Sequence, residues 1–288
     1  MAMFLHIAVA WVMLASFPAA GDRAAEPPAA SRPSTDVAQL PDRLRVVTFN
    51  VQQCLGGTER IIEFLRAQNA DLIFLQEVPA TDSNQQDTAA RIAEALGGLR
   101  VVSAATLDIP AKEHCDQAIL SRFPLSDGRA RTVLQGEWVY AVEATIQGRD
   151  GPLHLFSVHT HSTAELTTEN MIRTSAARLA EVSALLDVVG KLAGDLIVAG
   201  DFNAAPWMPE YSGITRVLSD FGAVDQDAKL SFPSYKPSVR IDYIFGRGGW
   251  SARSYQVLDV RLSDHRAVLA ELELKAPTSQ PQSRAISK

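Results

Sequence analysis

The chain has 288 residues, of which 47% are hydrophobic and 21% are charged, and it contains two cysteines. This composition argues against a collagen-like protein, a coiled coil, a wholly disordered chain and a disulfide-rich scaffold. The formal net charge of -6 provides no overall attraction for phosphate backbones, which argues against a non-specific nucleic-acid binder.

The N-terminal segment, residues 1–21, contains no Asp, Glu, Lys or Arg. Its apolar core is followed by Pro18 and three small residues, a pattern that predicts a secretory signal peptide. A run of this length also suits an uncleaved membrane anchor, and no Lys or Arg precedes it. We therefore expect an exported protein that is periplasmic, secreted or membrane-anchored, and any membrane association would use residues 1–21.

Two polar segments flank the predicted folded domain. Residues 22–43 are rich in Ala, Pro and Ser and predict a flexible linker. Residues 276–288 predict a disordered tail. The folded domain is therefore expected at residues 44–275, without internal repeats, and we expect it to be a monomer.

Strand and helix patterns alternate along this domain. Apolar and β-branched runs predict strands at 44–51, 72–78, 117–125, 138–146, 153–161, 195–200, 240–246 and 267–274. Helical periodicity predicts helices at 59–68, 87–96, about 165–189 and near 211–221. Several strands are apolar on both faces and need layers above and below them. The pattern predicts an α/β fold with two packed mixed sheets flanked by helices.

Polar side chains lie at or near the ends of these strands. They are Asn50, Glu77, His161, Asp201, Asn203, Asp242, Asp264 and His265. If neighbouring strands bring these ends together, one crater holds carboxylates, amides and imidazoles. Such a set is typical of a phosphoryl or acyl hydrolase that uses a hard metal ion.

Most of these residues also have a structural explanation. Asn50 suits a strand-end cap, Asp201 and Asn203 suit an Asx turn, and His161 suits a core histidine. Glu77 is harder to explain this way, because burying a carboxylate is costly without a partner. His159 lies on the same predicted strand face as His161, and we interpret it as structural.

Seven short motifs carry a resemblance to a known family. In chain order they are TFNVQ, LQEV, QAILSRFP, THS, GDFNAAP, RIDYIF and SDHRAV. As an ordered set across residues 44–274, they resemble the endonuclease/exonuclease/phosphatase superfamily, which has the DNase I-like fold. The resemblance implies a four-layer α-β-β-α sandwich with the active site at one edge of the paired sheets. It also implies hydrolysis of phosphate esters that depends on Mg²⁺ or Mn²⁺.

The same resemblance implies the metal ligands. Glu77 would be the principal ligand, supported by Asn50. Asp264 would assist the metal or orient the neighbouring His265.

The resemblance also implies catalytic roles for the remaining strand-end residues. Asp201 would align or deprotonate the attacking water, and His265 would contact the scissile phosphate. Asn203 and His161 would hold phosphoryl oxygens, and Asp242 would support the histidines. Whether Asp201 or His265 is the general base stays open.

The leading hypothesis is therefore a phosphodiesterase, nuclease or phosphatase that acts by in-line water attack. Its substrate would be nucleic acid, a phospholipid head group or a small phosphoester. An exported phosphodiesterase of the phospholipid or sphingomyelin type is one alternative, and a non-catalytic module that binds a phosphate ligand is another.

Two further pairs of residues leave alternatives open. Cys54 and Cys115 are either free thiols or, in an oxidising compartment, a disulfide. Trp207 and Met208 follow GDFNAAP and form either an apolar wall beside the site or part of an ordinary packed loop.

Overall fold

The structure is a computed structural model that describes residues 40–82, 86–103, 107, 116–133, 139–163, 167–223 and 229–275. The predicted signal peptide or anchor, most of the predicted linker, the predicted tail and Cys115 lie outside these residues. The fold described below belongs to the compact unit Val37–Lys288. None of the described helices has the length and apolar character that a bilayer span requires.

Twelve strands make up the two sheets of the described residues. They are β1 (Arg43–Asn50), β2 (Leu72–Val78), β3 (Arg100–Ser103), β4 (Asp116–Ser121), β5 (Ser126–Thr132), β6 (Val139–Gln147), β7 (Pro152–His159), β8 (Asp195–Asp201), β9 (Ser219–Asp220), β10 (Asp242–Arg247), β11 (Trp250–Val257) and β12 (Val268–Leu274). The first sheet has the order β11-β12-β1-β2-β4-β3, and the second has the order β5-β6-β7-β8-β10-β9. Both sheets are mixed.

The described residues include four α-helices, which cover the outer faces of these sheets. They are α1 (Thr58–Gln68), α2 (Thr88–Ala95), α3 (Thr168–Val189) and α4 (Pro209–Thr215), and a 3₁₀ helix spans Gln52–Cys54. Apolar residues of α1 and α2 pack with the first sheet, and those of α3 and α4 pack with the second. A third cluster, which includes Phe74 and Ile197, fills the space between the sheets. The predicted α-β-β-α sandwich is confirmed.

Strand direction explains why polar residues gather at one edge. β1 and β2 are parallel, so both end at the same edge of the first sheet. β7 and β8 are parallel and end together in the second sheet. β12 and β10 run antiparallel to them, so these two strands begin at the edge where the others end. Residues that follow or precede these six strands therefore meet at that edge.

A buried polar group joins the two sheets beneath this edge. The Nε2 of Gln76 in β2 donates to the Oγ of Ser157 in β7 at 3.1 Å. Ser157 in turn donates to the carbonyl of Leu75 at 3.1 Å, and Thr48 donates to the Oε1 of Gln76 at 3.3 Å. We call Thr48, Gln76 and Ser157 the polar bridge. Because buried polar groups need partners, these hydrogen bonds favour one alignment of the two sheets.

Most predicted elements have bounds in the structure that differ by one or more residues. The strand predicted at 117–125 ends at Ser121, whose hydroxyl accepts a hydrogen bond from the amide of Phe123. The helix predicted near 211–221 spans 209–215, because a proline at its first turn starts it early. The strand predicted at 153–161 ends at 159.

Candidate active site

Six strand ends bring most of the predicted site residues to one edge of the sandwich. Asn50 and Glu77 come from the ends of β1 and β2, and Asp201 ends β8. Asp242 begins β10 and pairs with Asp201 in the sheet register. The segment before β12 carries Asp264 and His265.

Asn50 links the carboxylates of the two sheets. Its Nδ2 donates to Glu77 Oε1 at 3.0 Å and to Asp201 Oδ2 at 3.1 Å. Its Oδ1 accepts from the amide of Gln52 at 3.0 Å, which fixes the orientation of the side chain. In this geometry Asn50 orients both carboxylates.

Glu77 lies at an irregular position of β2. The register of β2 with β4 shifts between Leu75 and Val78, and Glu77 has a φ of 53°, a conformation that is uncommon for non-glycine residues. β-Bulges of this kind redirect side chains near active sites. The strained backbone conformation therefore occurs at the residue whose carboxylate the fold holds in the site.

His265 is paired with Asp242. The His265 Nδ1 lies 3.0 Å from Asp242 Oδ2 and 3.2 Å from Oδ1. Ser231 Oγ donates to Asp242 Oδ2 at 2.6 Å, and the ring of Phe232 packs edge-on against His265 at 4.7 Å. The carboxylate and the aromatic ring together fix the imidazole, so that its Nε2 lies 3.6 Å from Asp201 Oδ2.

His159, predicted from the sequence to be structural, lies inside the site. It is almost fully buried. Its Nε2 lies 3.6 Å from Asp201 Oδ2 and 3.8 Å from Glu77 Oε1. The pairing of β7 with β8 sets His159 directly beside Asp201. A correct prediction of the last residue of β7 would have indicated His159 as a site residue.

His161 lies two residues beyond the end of β7, and its side chain is exposed. The strand ends here because the amide of His161 donates to Glu181 Oε2 in α3 at 2.7 Å, not to a neighbouring strand. The carbonyl of His161 accepts from Arg178 Nη1 at 3.4 Å.

Asn203 supports the turn that follows β8. Its amide donates to Asp201 Oδ1 at 2.9 Å, and its Nδ2 donates to the carbonyl of Thr160 at 3.0 Å. This is the Asx turn that the sequence suggested, and it also ties the ends of β7 and β8 together. Further along this loop, Met208 is buried in the core while Trp207 is exposed.

The charged groups strongly perturb one another. Burial raises the pKa of Asp201 to about 6, although His265 opposes this shift. Burial lowers the pKa of His265, but Asp242 and then Asp201 outweigh that effect and raise it to about 10. Burial lowers the pKa of His159. At neutral pH these directions favour a charged His265, an ionised Asp201 and a neutral His159.

Burial also raises the pKa of Glu77; the hydrogen bond from Asn50 and the charge of His265 oppose this shift, and the carboxylates of Asp264 and Asp242 add to it. Such crowding of negative charge is relieved by a bound cation. Carboxylate oxygens on Glu77 and Asp264 are the donors that Mg²⁺ and Mn²⁺ prefer. The site therefore fits a hard divalent cation.

A second group of ligand atoms lies deeper in the site. Asp201, Asp242 and His265 each offer one atom within 4.8 Å of the others. However, both oxygens of Asp242 lie within hydrogen-bonding distance of His265 Nδ1, and Ser231 also donates to one of them. Asp242 is thus engaged with His265 and Ser231, whereas the side chain of Glu77 is more accessible.

Glu181, which accepts the hydrogen bond from the amide of His161, should make the stability of the fold depend on pH. Burial raises the pKa of Glu181 to about 7, so the folded protein binds its proton more tightly than the unfolded chain does. Between about pH 4.5 and 7 the ionised form becomes a growing penalty, and stability falls as the pH rises. Glu181→Gln should then be more stable than the wild type at pH 8, by at most about 3 kcal/mol, and equally stable near pH 4. Urea unfolding across this range measures the difference, and a gap that does not vary with pH contradicts the expectation.

Comparison with known proteins agrees with this geometry. The family model of the Endonuclease/Exonuclease/phosphatase family matches residues 47–265, which span every strand-end residue described above. The chain belongs to this family. Its members are phosphoester hydrolases, including nucleases and phosphatases. A search of curated proteins found no match.

Solved structures share the fold at low sequence identity. A Beutenbergia cavernae endonuclease/exonuclease/phosphatase is 19% identical, with a TM-score of 0.58 over 81% of this chain and 72% of that one. A humanized D. rerio TDP2 is 14% identical, with a TM-score of 0.62 over 81% of this chain and 100% of that one. The Bacteroides thetaiotaomicron mannosyl-6-phosphatase Bt3783 is 16% identical, with a TM-score of 0.58 over 80% of this chain and 99% of that one. At these identities the likeness shows the fold alone.

Proposed function

We propose that this family member hydrolyses phosphate esters with Mg²⁺ or Mn²⁺, by in-line attack of water. One observation carries the proposal. Asn50 Nδ2 donates to Asp201 Oδ2 at 3.1 Å, and the Nε2 atoms of His159 and His265 both lie 3.6 Å from this oxygen. The same Asn50 Nδ2 also donates to Glu77 Oε1.

Glu77 and Asp264 would hold the cation, and Asn50 would orient Glu77 toward it. When bound, the cation neutralises the phosphoryl oxygens and stabilises the negative charge that develops on them. Within the described residues, the ion pairs of Glu77, Asp201 and Asp242 are made with imidazoles and not with Lys or Arg. The residues themselves therefore leave excess negative charge at the site.

Asp201 is the better candidate for the general base. With a pKa of about 6, it is ionised at neutral pH and can accept a proton from the attacking water. Its amide contacts with Asn203 and Asn50 hold it in place. In this assignment the water oxygen bonds to phosphorus, the bond from phosphorus to the leaving oxygen breaks, and Asp201 receives the water proton.

His265 then serves as the cationic donor. Because Asp242 keeps its Nδ1 engaged and its pKa is about 10, the ring is protonated at neutral pH and Nε2 donates. From that position it binds a phosphoryl oxygen or protonates the leaving oxygen. His159 also lies beside Asp201. Because His159 is neutral, it offsets the negative charge of Asp201 less than the charged His265 does.

A chelation experiment tests this function. The full chain is assayed on bis(p-nitrophenyl) phosphate and p-nitrophenyl phosphate, first with EDTA and then with added Mg²⁺ or Mn²⁺. We expect turnover of at least one ester to disappear with EDTA and to return with the metal. Turnover that ignores the chelator would reject the metal role. Metal binding by calorimetry without turnover of any ester would support a non-catalytic binding module.

We also propose that the protein is exported, on the basis of the uncharged apolar run at residues 1–21. Cell fractionation and N-terminal sequencing of the recovered protein test this. Recovery from the cytosol with residues 1–21 intact would contradict it.

A further inference from the structure

Four large apolar side chains are far more exposed than any others in the described part of the chain. They are Leu55 (75%), Tyr235 (71%), Trp207 (70%) and Ile172 (67%). The next most exposed are Val133, Leu179 and Val217, each at 39%. We call the first four the apolar rim, because all of them lie on segments that leave the catalytic edge.

Leu55 and Tyr235 lie on segments of the first and second sheets that reach this edge. Leu55 is in the turn after the 3₁₀ helix that follows β1. Tyr235 is in the segment before β10, directly after Ser234, whose amide donates to the carbonyl of Asp264 at 2.6 Å. The backbone of this segment therefore contacts the backbone of a predicted metal ligand.

Trp207 and Ile172 lie on the segments after β8 and β7. Trp207 is in the loop between β8 and α4, four residues after Asn203. Ile172 lies in the second turn of α3. Because Glu181 of the same helix contacts the end of β7 through the amide of His161, Ile172 lies about 13 Å further along the helix axis. This part of α3 is the end of the helix that follows β7.

Exposed apolar side chains on several segments that adjoin one edge can together form a binding surface. The chemistry of the rim favours a lipid–water interface. Trp and Tyr are the side chains enriched at membrane interfaces, and Leu and Ile suit acyl chains but do not stack on bases. Single-stranded nucleic acids require a positively charged groove beside the aromatic rings, whereas the net charge of this chain is -6.

Charge next to the rim matches a phospholipid surface. Arg173 follows Ile172 and Lys236 follows Tyr235, and both of these basic residues are exposed. When apolar side chains enter a bilayer and contact acyl chains, long basic side chains next to them reach the phosphates of lipid head groups. This pairing occurs on both α3 and the segment before β10.

We propose that the apolar rim docks the catalytic edge on a phospholipid bilayer, so that the substrate is a phosphoester in a lipid head group. The substrate part of this inference rests on the proposed hydrolase function. The docking part rests on the rim alone.

Fluorescence quenching at Trp207 tests the docking on the full chain. Vesicles of phosphatidylcholine with dibrominated acyl chains quench tryptophans that enter the acyl region, and vesicles without bromine are the reference. The chain has four tryptophans, so the contribution of Trp207 is the quenching that Trp207→Phe removes. Since the readout is local to the rim, membrane binding by residues 1–21 does not produce it.

We expect bromolipid to quench a component that is missing in Trp207→Phe. The double variant Leu55→Ser/Ile172→Ser should weaken this quenching at least about threefold, because it removes two apolar contacts. The matched control Leu179→Ser/Val217→Ser alters exposed apolar residues outside the rim and should leave it unchanged. Equal quenching in the wild type and Trp207→Phe, or no effect of the double variant, would overturn the proposal.

Two further arms distinguish lipid docking from base binding and from catalysis. If a single-stranded oligonucleotide changes Trp207 emission in a salt-sensitive way while bromolipid does not, the rim binds bases and the lipid proposal is wrong. Glu77→Gln should retain the quenching while losing turnover. Quenching without turnover of any ester by the wild type would reject the hydrolase and keep the docking, and turnover without quenching would reject the docking alone.

Discussion

Glu77→Gln is expected to lower kcat/KM for a phosphodiester by about 10³-fold, because it removes the carboxylate that would hold the cation. The Gln side chain has nearly the same shape and can still accept the hydrogen bond from Asn50. The loss should therefore fall on kcat and on the affinity for Mg²⁺, which steady-state kinetics and metal titration measure.

The same substitution should raise stability in the absence of metal. Burial and neighbouring carboxylates raise the pKa of Glu77, so its charge opposes folding at pH 7. The matched control is Glu143→Gln, which removes a carboxylate paired with Arg131 in the second sheet and should leave turnover unchanged. If Glu77→Gln keeps wild-type turnover, the metal assignment is wrong.

Asp242→Asn should lower kcat by about 10²- to 10³-fold with little change in KM, because the carboxylate fixes the tautomer and charge of His265. Asn keeps the size of the side chain and can present its amino group to Nδ1, which reverses the hydrogen bond. The imidazole then loses its Nδ1 proton and its positive charge, and the neutral Nε2–H that remains is a weaker acid and hydrogen-bond donor.

Ser231→Ala provides a graded comparison. It removes the hydroxyl that donates to Asp242 Oδ2 at 2.6 Å but leaves the carboxylate in place. We expect a loss of about tenfold or less. A loss as large as that of Asp242→Asn would show that the loop around Ser231, and not the charge on Asp242, controls the rate.

The sequence predicted the interior strands well and missed the edges. The four strands absent from the prediction are β3, β5, β9 and β11, which are the two outermost strands of each sheet. β5 (SDGRART) and β11 (WSARSYQV) are largely polar, because an edge strand has a neighbour on one side only and packs less apolar surface. Apolar periodicity detects strands that are buried on both faces, so edge strands escape it.

The site was predicted in composition more accurately than in geometry. Most of the strand-end residues meet at one edge because strand direction brings them there. The sequence predicted a catalytic role for His161 and a structural one for His159, whereas the structure buries His159 beside Asp201 and leaves His161 exposed. The two residues share a strand pattern, and the point where β7 ends depends on Glu181 of α3. That contact joins residues far apart in the chain, so no local pattern in the sequence indicates it.

The polar bridge of Thr48, Gln76 and Ser157 holds together two sheets that each carry part of the proposed active site. The proposed metal carboxylate Glu77 belongs to the first sheet, and the proposed base Asp201 belongs to the second. A slide of one sheet along the other by even an ångström separates them while leaving every strand paired within its own sheet. Loss of alignment between the two sheets would therefore be enough to inactivate the protein. It would do so before either sheet unfolds.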